Sequence, residues 1–241
     1  MMREKVFKFK QFEVLNDMTP MKVGTDAVLL GAWCRCDDAA TVLDVGTGCG
    51  VIALMIAQRN PGATVHAIDV DAVALAEARL NFERSPWRER LRAFHGDFRD
   101  CAGLLPLPAY DLIVSNPPFF TEKVLSPSVA RNVARHTASL PFGDLFRVAA
   151  SLLSPHGRLA MVTPALCERE IEECATFASL YPSRIVRVSA APGTPPKRLL
   201  WEFTRSWGVT QRSALAIRDA TSAPSREYAR LTENFYLDSG C

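Results

Sequence analysis

Short apolar runs alternate with longer segments of helical periodicity through the middle of the chain, the pattern of strands and helices taken in turn. Residues 41–45, 64–68, 91–94 and 110–115 read as short strands, the last of them buried. Residues 51–59 and 72–82 read as the helices between the first three, and a short helical turn is expected around 99–104. Further on, 141–153 reads as a helix, 158–163 as a fifth strand, 167–180 as a helix, and 184–188 and 199–204 as two more strands. The link at 190–196 is too short for a crossover helix, so those last two strands are expected to pair antiparallel. Strands separated by helices are expected to be parallel. Ahead of this core, 7–12 alternates aromatic and polar with period two and reads as a half-buried strand. The apolar stretch 27–33 reads as a helix with Thr25 or Asp26 as its N-cap. Residues 120–140 carry little periodicity and read as a long loop.

The pattern describes one α/β domain, residues 1–241: a doubly wound, mostly parallel seven-stranded sheet with one antiparallel strand. A short N-terminal extension of strand and helix (1–40) precedes a Rossmann-like core (41–206), and a strand and helix segment (207–241) follows. Composition agrees, since 241 residues at 48% hydrophobic and 22% charged can bury a sizeable core. No apolar run approaches a membrane span, and the N-terminus lacks the apolar centre of a secretion signal, so a cytoplasmic protein is expected. Of seven cysteines only Cys34 and Cys36 lie close together, with no second Cys or His pair at ligand spacing. Reduced thiols and no metal are expected. Nothing fixes an oligomeric state, and a monomer is the default. Charge is uneven: residues 184–230 hold nine Lys/Arg against three Asp/Glu, and 1–22 hold five against three. Basic ends around an acidic centre suit a polyanion at the periphery or an ordinary solvated surface.

The candidate chemistry lies at the strand ends. Gly46, Gly48 and Gly50 follow Asp44 between the first strand and helix, where glycines permit a tight turn and close approach of a ligand. The spacing is G-x-G-x-G and no P-loop lysine follows, which argues against triphosphate hydrolysis. Asp69 closes the second strand, where a carboxylate can accept from both hydroxyls of a ribose. Asp97 and Phe98 close the third and offer a carboxylate edge and an aromatic face to a purine. The fourth strand stops at Asn116-Pro117-Pro118-Phe119, a stiff turn able to clamp a planar group that bears an NH2.

In this order the residues resemble the class I S-adenosylmethionine-dependent methyltransferases, and Asn-Pro-Pro-Phe resembles their amino-methylating branch. Phe9-Lys10-Gln11-Phe12, residues 21–26, Leu30-Gly31-Ala32-Trp33, Ser85-Pro86-Trp87, Glu89-Arg90, Tyr228, Leu231-Thr232 and Phe235-Tyr236-Leu237 extend the resemblance to bacterial enzymes that modify N6 of adenine 37 in tRNA(Val). Phe119 stands where many relatives have Tyr. The resemblance implies S-adenosyl-L-methionine as cofactor, held by Lys22, Thr25, Asp44, Gly46, Gly48, Gly50, Asp69, Asp97, Phe98 and Asn116. It implies Asn116, Pro117 and Phe119 as the catalytic turn and tRNA as substrate. Pro118, Phe120, Lys8, Lys10, Arg131, Arg135, His136, Lys197 and Arg198 are the candidate RNA contacts. Three enzymatic alternatives keep the chemistry and change the acceptor: a glutamine amide in a release factor, guanine-N2 in rRNA, or adenine in DNA. A non-catalytic RNA-binding relative is the alternative of another class.

Overall fold

The computed structural model describes residues 5–18, 22–117 and 140–237. It opens on an antiparallel hairpin, β1 (Val6–Lys8) with β2 (Glu13–Leu15), followed by helix α1 (Thr25–Trp33). Then come β3 (Thr41–Val45), α2 (Val51–Arg59), β4 (Thr64–Asp69), α3 (Ala72–Arg84), β5 (Leu91–His95) and β6 (Tyr110–Ser115). The rest is α4 (Phe142–Leu152), β7 (Leu153–Pro164), α5 (Glu168–Phe177), β8 (Tyr181–Ser189), β9 (Arg198–Thr204), β10 (Gln211–Ala216) and α6 (Arg226–Thr232).

One sheet of eight strands runs in the order β10-β8-β9-β7-β6-β3-β4-β5. Only β9 is antiparallel, to both β7 and β8. The sheet has one strand more than the seven expected, because the strand of the C-terminal segment pairs with β8 over Arg184–Ser189. Residues 211–214 are exposed and carry no buried face that would announce a sheet member. The period-two geometry of a strand divides the core between the sheet's two faces. Val42 packs with α1, α2 and α3, whereas Leu43 and Val45 pack with α4 and α5. Residues Ala27 to Ala32 of α1 are buried, as an apolar helix without a polar face must be.

Two local expectations are corrected. Residues 7–12 do not form one strand: β1 stops at Lys8 and the chain turns, with the Phe9 amide donating to the Phe12 carbonyl at 2.9 Å. The turn brings Phe9 and Phe12 face to face, centroids 4.5 Å apart, with Trp87 and Tyr236 beside them. Aromatic packing outweighs alternation there. The N-cap of α1 is Gly24 and no side chain caps it. Thr25 is the first helical residue, and the Asp26 carboxylate instead accepts from Arg198 Nε at 2.7 Å.

Candidate active site at the strand ends

The carboxyl ends of the central strands are level. Val45 lies opposite both Ile68 and Ser115, and Asp69 opposite His95. Open α/β sheets bind ligands at this edge. Ser115 Oγ donates to the Val45 carbonyl at 2.9 Å, so the ends of β3 and β6 are tied.

The turn after β3 hangs on β4, because the Gly46 amide donates to the Ile68 carbonyl at 2.9 Å. Gly48 has φ +55, and a Cβ there would meet nothing within 4 Å, so the turn faces open space on that side. Gly50 differs. Its φ is +85, and a Cβ would lie 2.6 Å from Phe82 Cε1. Left-handed backbone costs a side-chain-bearing residue about 1–2 kcal/mol, and the contact with Phe82 adds to that. Gly50→Ala is therefore expected to lower the unfolding free energy by about 2 kcal/mol or more. An unchanged urea midpoint would show that Phe82 gives way freely.

Asp69 reaches back to the turn: Oδ2 accepts from the Gly48 amide at 2.8 Å, and Oδ1 from the Asp71 amide at 2.9 Å. Burial raises its carboxyl above the usual range. Asp44 is buried, with Oδ2 accepting from Thr47 Oγ1 at 2.6 Å and the Ala53 amide at 3.2 Å. Its Oδ1 is buried without a partner among the described residues. Burial pushes this carboxyl up to about 7. The unfolded chain releases the proton near the ordinary value while the folded protein holds it to about 7, so stability falls as pH rises through that window. The slope approaches about 1.4 kcal/mol per pH unit, and Asp44→Asn removes it. Urea titrations on either side of the window should show wild type losing stability relative to the variant. Parallel curves would mean that Asp44 is not the titrating group.

Asp97 stands at the end of β5 with its carboxylate held by the Arg99 guanidinium and the Arg99 amide. The Arg99 bond draws it below the usual range. Phe98 is buried in the core on the α4 and α5 side. Asn116 follows β6 directly, and its Oδ1 is buried without a partner among the described residues. Pro117 is buried beside it. The expected Pro118, Phe119, Phe120, Arg131, Arg135 and His136 lie outside the described residues.

The remaining candidates are less closely gathered. Lys22 Nζ donates to the carbonyls of Asn16 at 2.7 Å and Asp17 at 3.1 Å. Thr25 is exposed at the start of α1. Arg198 and Lys197 belong to the site edge of the sheet, since Arg198 lies opposite Pro164 and Val188. The Arg198 guanidinium is committed to Asp26 and to the Lys197 carbonyl. Lys8 pairs with Glu13 at 3.0 Å on the exposed hairpin, and Lys10 is exposed at its turn.

Three further polar residues tie backbone segments together, Arg90 at the opposite edge of the sheet and Asn81 and Glu77 nearer the glycine turn. Arg90 donates to the carbonyls of Ala57, Asn60 and Ala63 at 2.6–3.0 Å and so closes the C-terminus of α2. Asn81 and Glu77 of α3 bond the hairpin backbone. Their only mark is a polar residue on the buried face of an amphipathic helix.

The residues present fit an adenosine-bearing cofactor. The turn is open at Gly48, and Asp69 sets a carboxylate at the next strand end. The unpartnered Asn116 Oδ1 leaves an acceptor for a donor from outside the described chain. Among the described residues no group of three His, Cys, Asp or Glu is placed to hold a metal ion, and no helix is long and apolar enough to cross a membrane.

Comparison with known proteins follows the same line. The methyltransferase small domain matches residues 23–171. A tRNA1(Val) (adenine(37)-N6)-methyltransferase from Bacteroides fragilis is 42% identical over 236 residues, covering 98% of this chain and 99% of the relative. One from Porphyromonas gingivalis is 43% identical over 244 residues, covering 97% and 96%. Among solved structures, a predicted O-methyltransferase from Agrobacterium tumefaciens superposes with a TM-score of 0.70 at 19% identity, over 87% of this chain and 96% of that one. That likeness concerns the fold alone.

Proposed function

Because the chain belongs to the tRNA1(Val) (adenine(37)-N6)-methyltransferase family, built on the methyltransferase small domain, we propose that it methylates N6 of adenine 37 in tRNA1(Val). S-adenosyl-L-methionine would supply the methyl group, carried on a positively charged sulfur. Asp69 would hold the ribose hydroxyls, and the turn from Gly46 to Gly50, with Asp44 beneath it, would receive the remainder of the cofactor. Asp97 would accept from the adenine edge, and Lys22 and Thr25 would approach from the N-terminal side.

The observation that carries the reading is Asn116 Oδ1, a buried acceptor without a partner among the described residues, at the end of the strand beside the glycine turn. Leaving such an atom unpaired costs about 1–3 kcal/mol, which an entering N–H donor relieves. An exocyclic amine is a poor nucleophile because its lone pair is shared with the ring. Accepting its two N–H bonds at Asn116 Oδ1 and the Pro117 carbonyl would favour a more pyramidal nitrogen with the lone pair aimed at the methyl group. Phe119 would stack on the base, which is worth roughly 1–3 kcal/mol. The methylated amine is acidic and loses its proton readily, so no strong base is required. Positioning alone can supply about 7–11 kcal/mol. A base in an RNA loop leaves its stack at less cost than a paired one.

The test is methylation of total tRNA from a strain lacking this gene, with labelled cofactor and nucleoside mapping. Label is expected in N6-methyladenosine at position 37 of tRNA1(Val). No incorporation into tRNA, with transfer to a release-factor glutamine or to rRNA, would overturn the assignment. RNA affinity is also expected to fall steeply with salt if the basic ends track phosphates. A flat dependence would remove Lys8, Lys10, Arg131, Arg135, His136, Lys197 and Arg198 from that role.

A further inference from the structure

We propose that Asn81 and Glu77, one turn apart on α3, are positioning residues that hold the glycine turn and the N-terminal hairpin in a single frame and so set the geometry of the cofactor crevice. The crevice half of this proposal rests on the methyl-transfer reading above.

Both side chains are 1% exposed, on a helix whose Arg79, Glu83 and Arg84 are exposed. Polar groups this deeply buried must find partners in the chain. Asn81 uses both ends of its amide: Oδ1 accepts from the Leu15 amide at 2.7 Å, and Nδ2 donates to the carbonyls of Leu15 at 3.0 Å and Cys49 at 2.8 Å. It pairs with Leu15 as another peptide group would in a sheet and, with its second N–H, grips the glycine turn between Gly48 and Gly50. The turn is thus held from two sides, by Asp69 at the Gly48 amide and by Asn81 at the Cys49 carbonyl.

Glu77 completes the hairpin side. Its Oε1 accepts from the amides of Asp17 at 2.7 Å and Met18 at 2.8 Å, while Lys22 Nζ takes the carbonyls of Asn16 and Asp17. Side chains therefore hold most of the backbone of 15–18, the Asn16 amide going to the Lys5 carbonyl, and α3 supplies the two that lie deepest. A two-stranded hairpin is marginal by itself and takes its position from what it docks on. Phe82 also touches the turn at Gly50, but an apolar contact fixes no direction. Asn81 bonds both segments directly.

The first experiment is hydrogen exchange on the ligand-free full chain. Asn81→Ala is expected to speed exchange at 46–50 and at 15–18 together, whereas Glu77→Ala speeds it at 15–18 alone. Glu77→Gln keeps an acceptor oxygen and should match wild type. If Asn81→Ala does not fold, Asn81→Asp serves, since it keeps the acceptor for the Leu15 amide and sets an oxygen against both carbonyls. Leu215→Ala, in the distant β10, is the control for general loss of stability and should leave 46–50 unchanged. Acceleration at 15–18 only, in either Asn81 variant, overturns the tie.

The second experiment is calorimetric titration with S-adenosylhomocysteine, where the Asn81 variant should bind about tenfold or more weakly. Its kcat at saturating cofactor should stay within about threefold of wild type. Coupled exchange with unchanged binding would make Asn81 a structural residue and overturn the crevice half. Failure of wild type to bind would sink the methyl-transfer reading and the crevice half with it, while the exchange result still decides the tie.

Discussion

Asn116→Ala is expected to lower turnover on tRNA at saturating S-adenosylmethionine by on the order of 10²-fold or more. The side chain follows β6 directly, and the end of β6 is fixed to β3 by the Ser115 hydroxyl. Its Oδ1 is buried and has no partner among the described residues, so nothing in them competes with an incoming amine. Alanine removes the acceptor without touching the ladder that positions it. The amine then keeps its planar, delocalised form and presents no lone pair to the methyl group. An interaction made mainly at the reacting geometry should be lost from kcat rather than from KM. Single-turnover methylation at saturating cofactor and RNA separates the two, and wild-type transfer by the variant would remove Asn116 from the clamp.

Asp69→Ala should do the reverse. Charge-assisted hydrogen bonds are worth about 1.5–3 kcal/mol each, so losing a carboxylate that bonds both ribose hydroxyls should weaken cofactor binding by on the order of 10²-fold. The Gly48 amide loses its acceptor in the same step, which loosens the turn itself. Asp69→Asn retains one oxygen and should fall between the two. Because burial raises the Asp69 carboxyl, affinity is also expected to fall as pH drops through that raised value, when the acceptor becomes protonated. Titration calorimetry across pH checks both effects. An unchanged dissociation constant in Asp69→Ala would take this residue out of the ribose role, and kcat at saturating cofactor should stay within a few fold of wild type.

The parts legible in the sequence are those that local pattern determines. The strands ending at Val45, Asp69 and Ser115 are mostly buried and read as apolar runs, whereas the edge strand ending at His95 is half exposed. Their carboxyl ends carry the candidate chemistry, so the glycine turn, Asp69, Asp97 and Asn116 could be placed along one edge without coordinates. The parts that were not legible depend on distant partners. β10 has an exposed polar stretch and joins the sheet because β8 offers it an edge. Phe9 and Phe12 alternate like a strand but stack on each other because Trp87 and Tyr236 receive them. Asn81 and Glu77 sit in a helix where an isolated reading makes them surface residues. Docking of a hairpin more than sixty positions earlier in the chain buries Asn81. Arg198 shows the converse. Its charge marks it as an RNA candidate, and nothing in the sequence signals that its guanidinium also bonds Asp26.

The single antiparallel strand has a consequence for biosynthesis. Chains leave the ribosome N-terminus first. The strands β3, β4, β5 and β6, neighbours in the finished sheet, have all been made by Ser115, and β7 can join them by Pro164. The next strand made, β8, has no place beside β7, because β9 must insert between them and is not complete until Thr204. A nascent chain ending between Ser189 and Arg198 therefore carries the glycine turn, Asp69 and Asn116 yet leaves β7 with an unpaired apolar flank. Such an edge invites pairing with another chain. Ribosomal pausing or truncation in this interval should yield aggregates instead of a smaller working enzyme, although every proposed catalytic residue has already been synthesised.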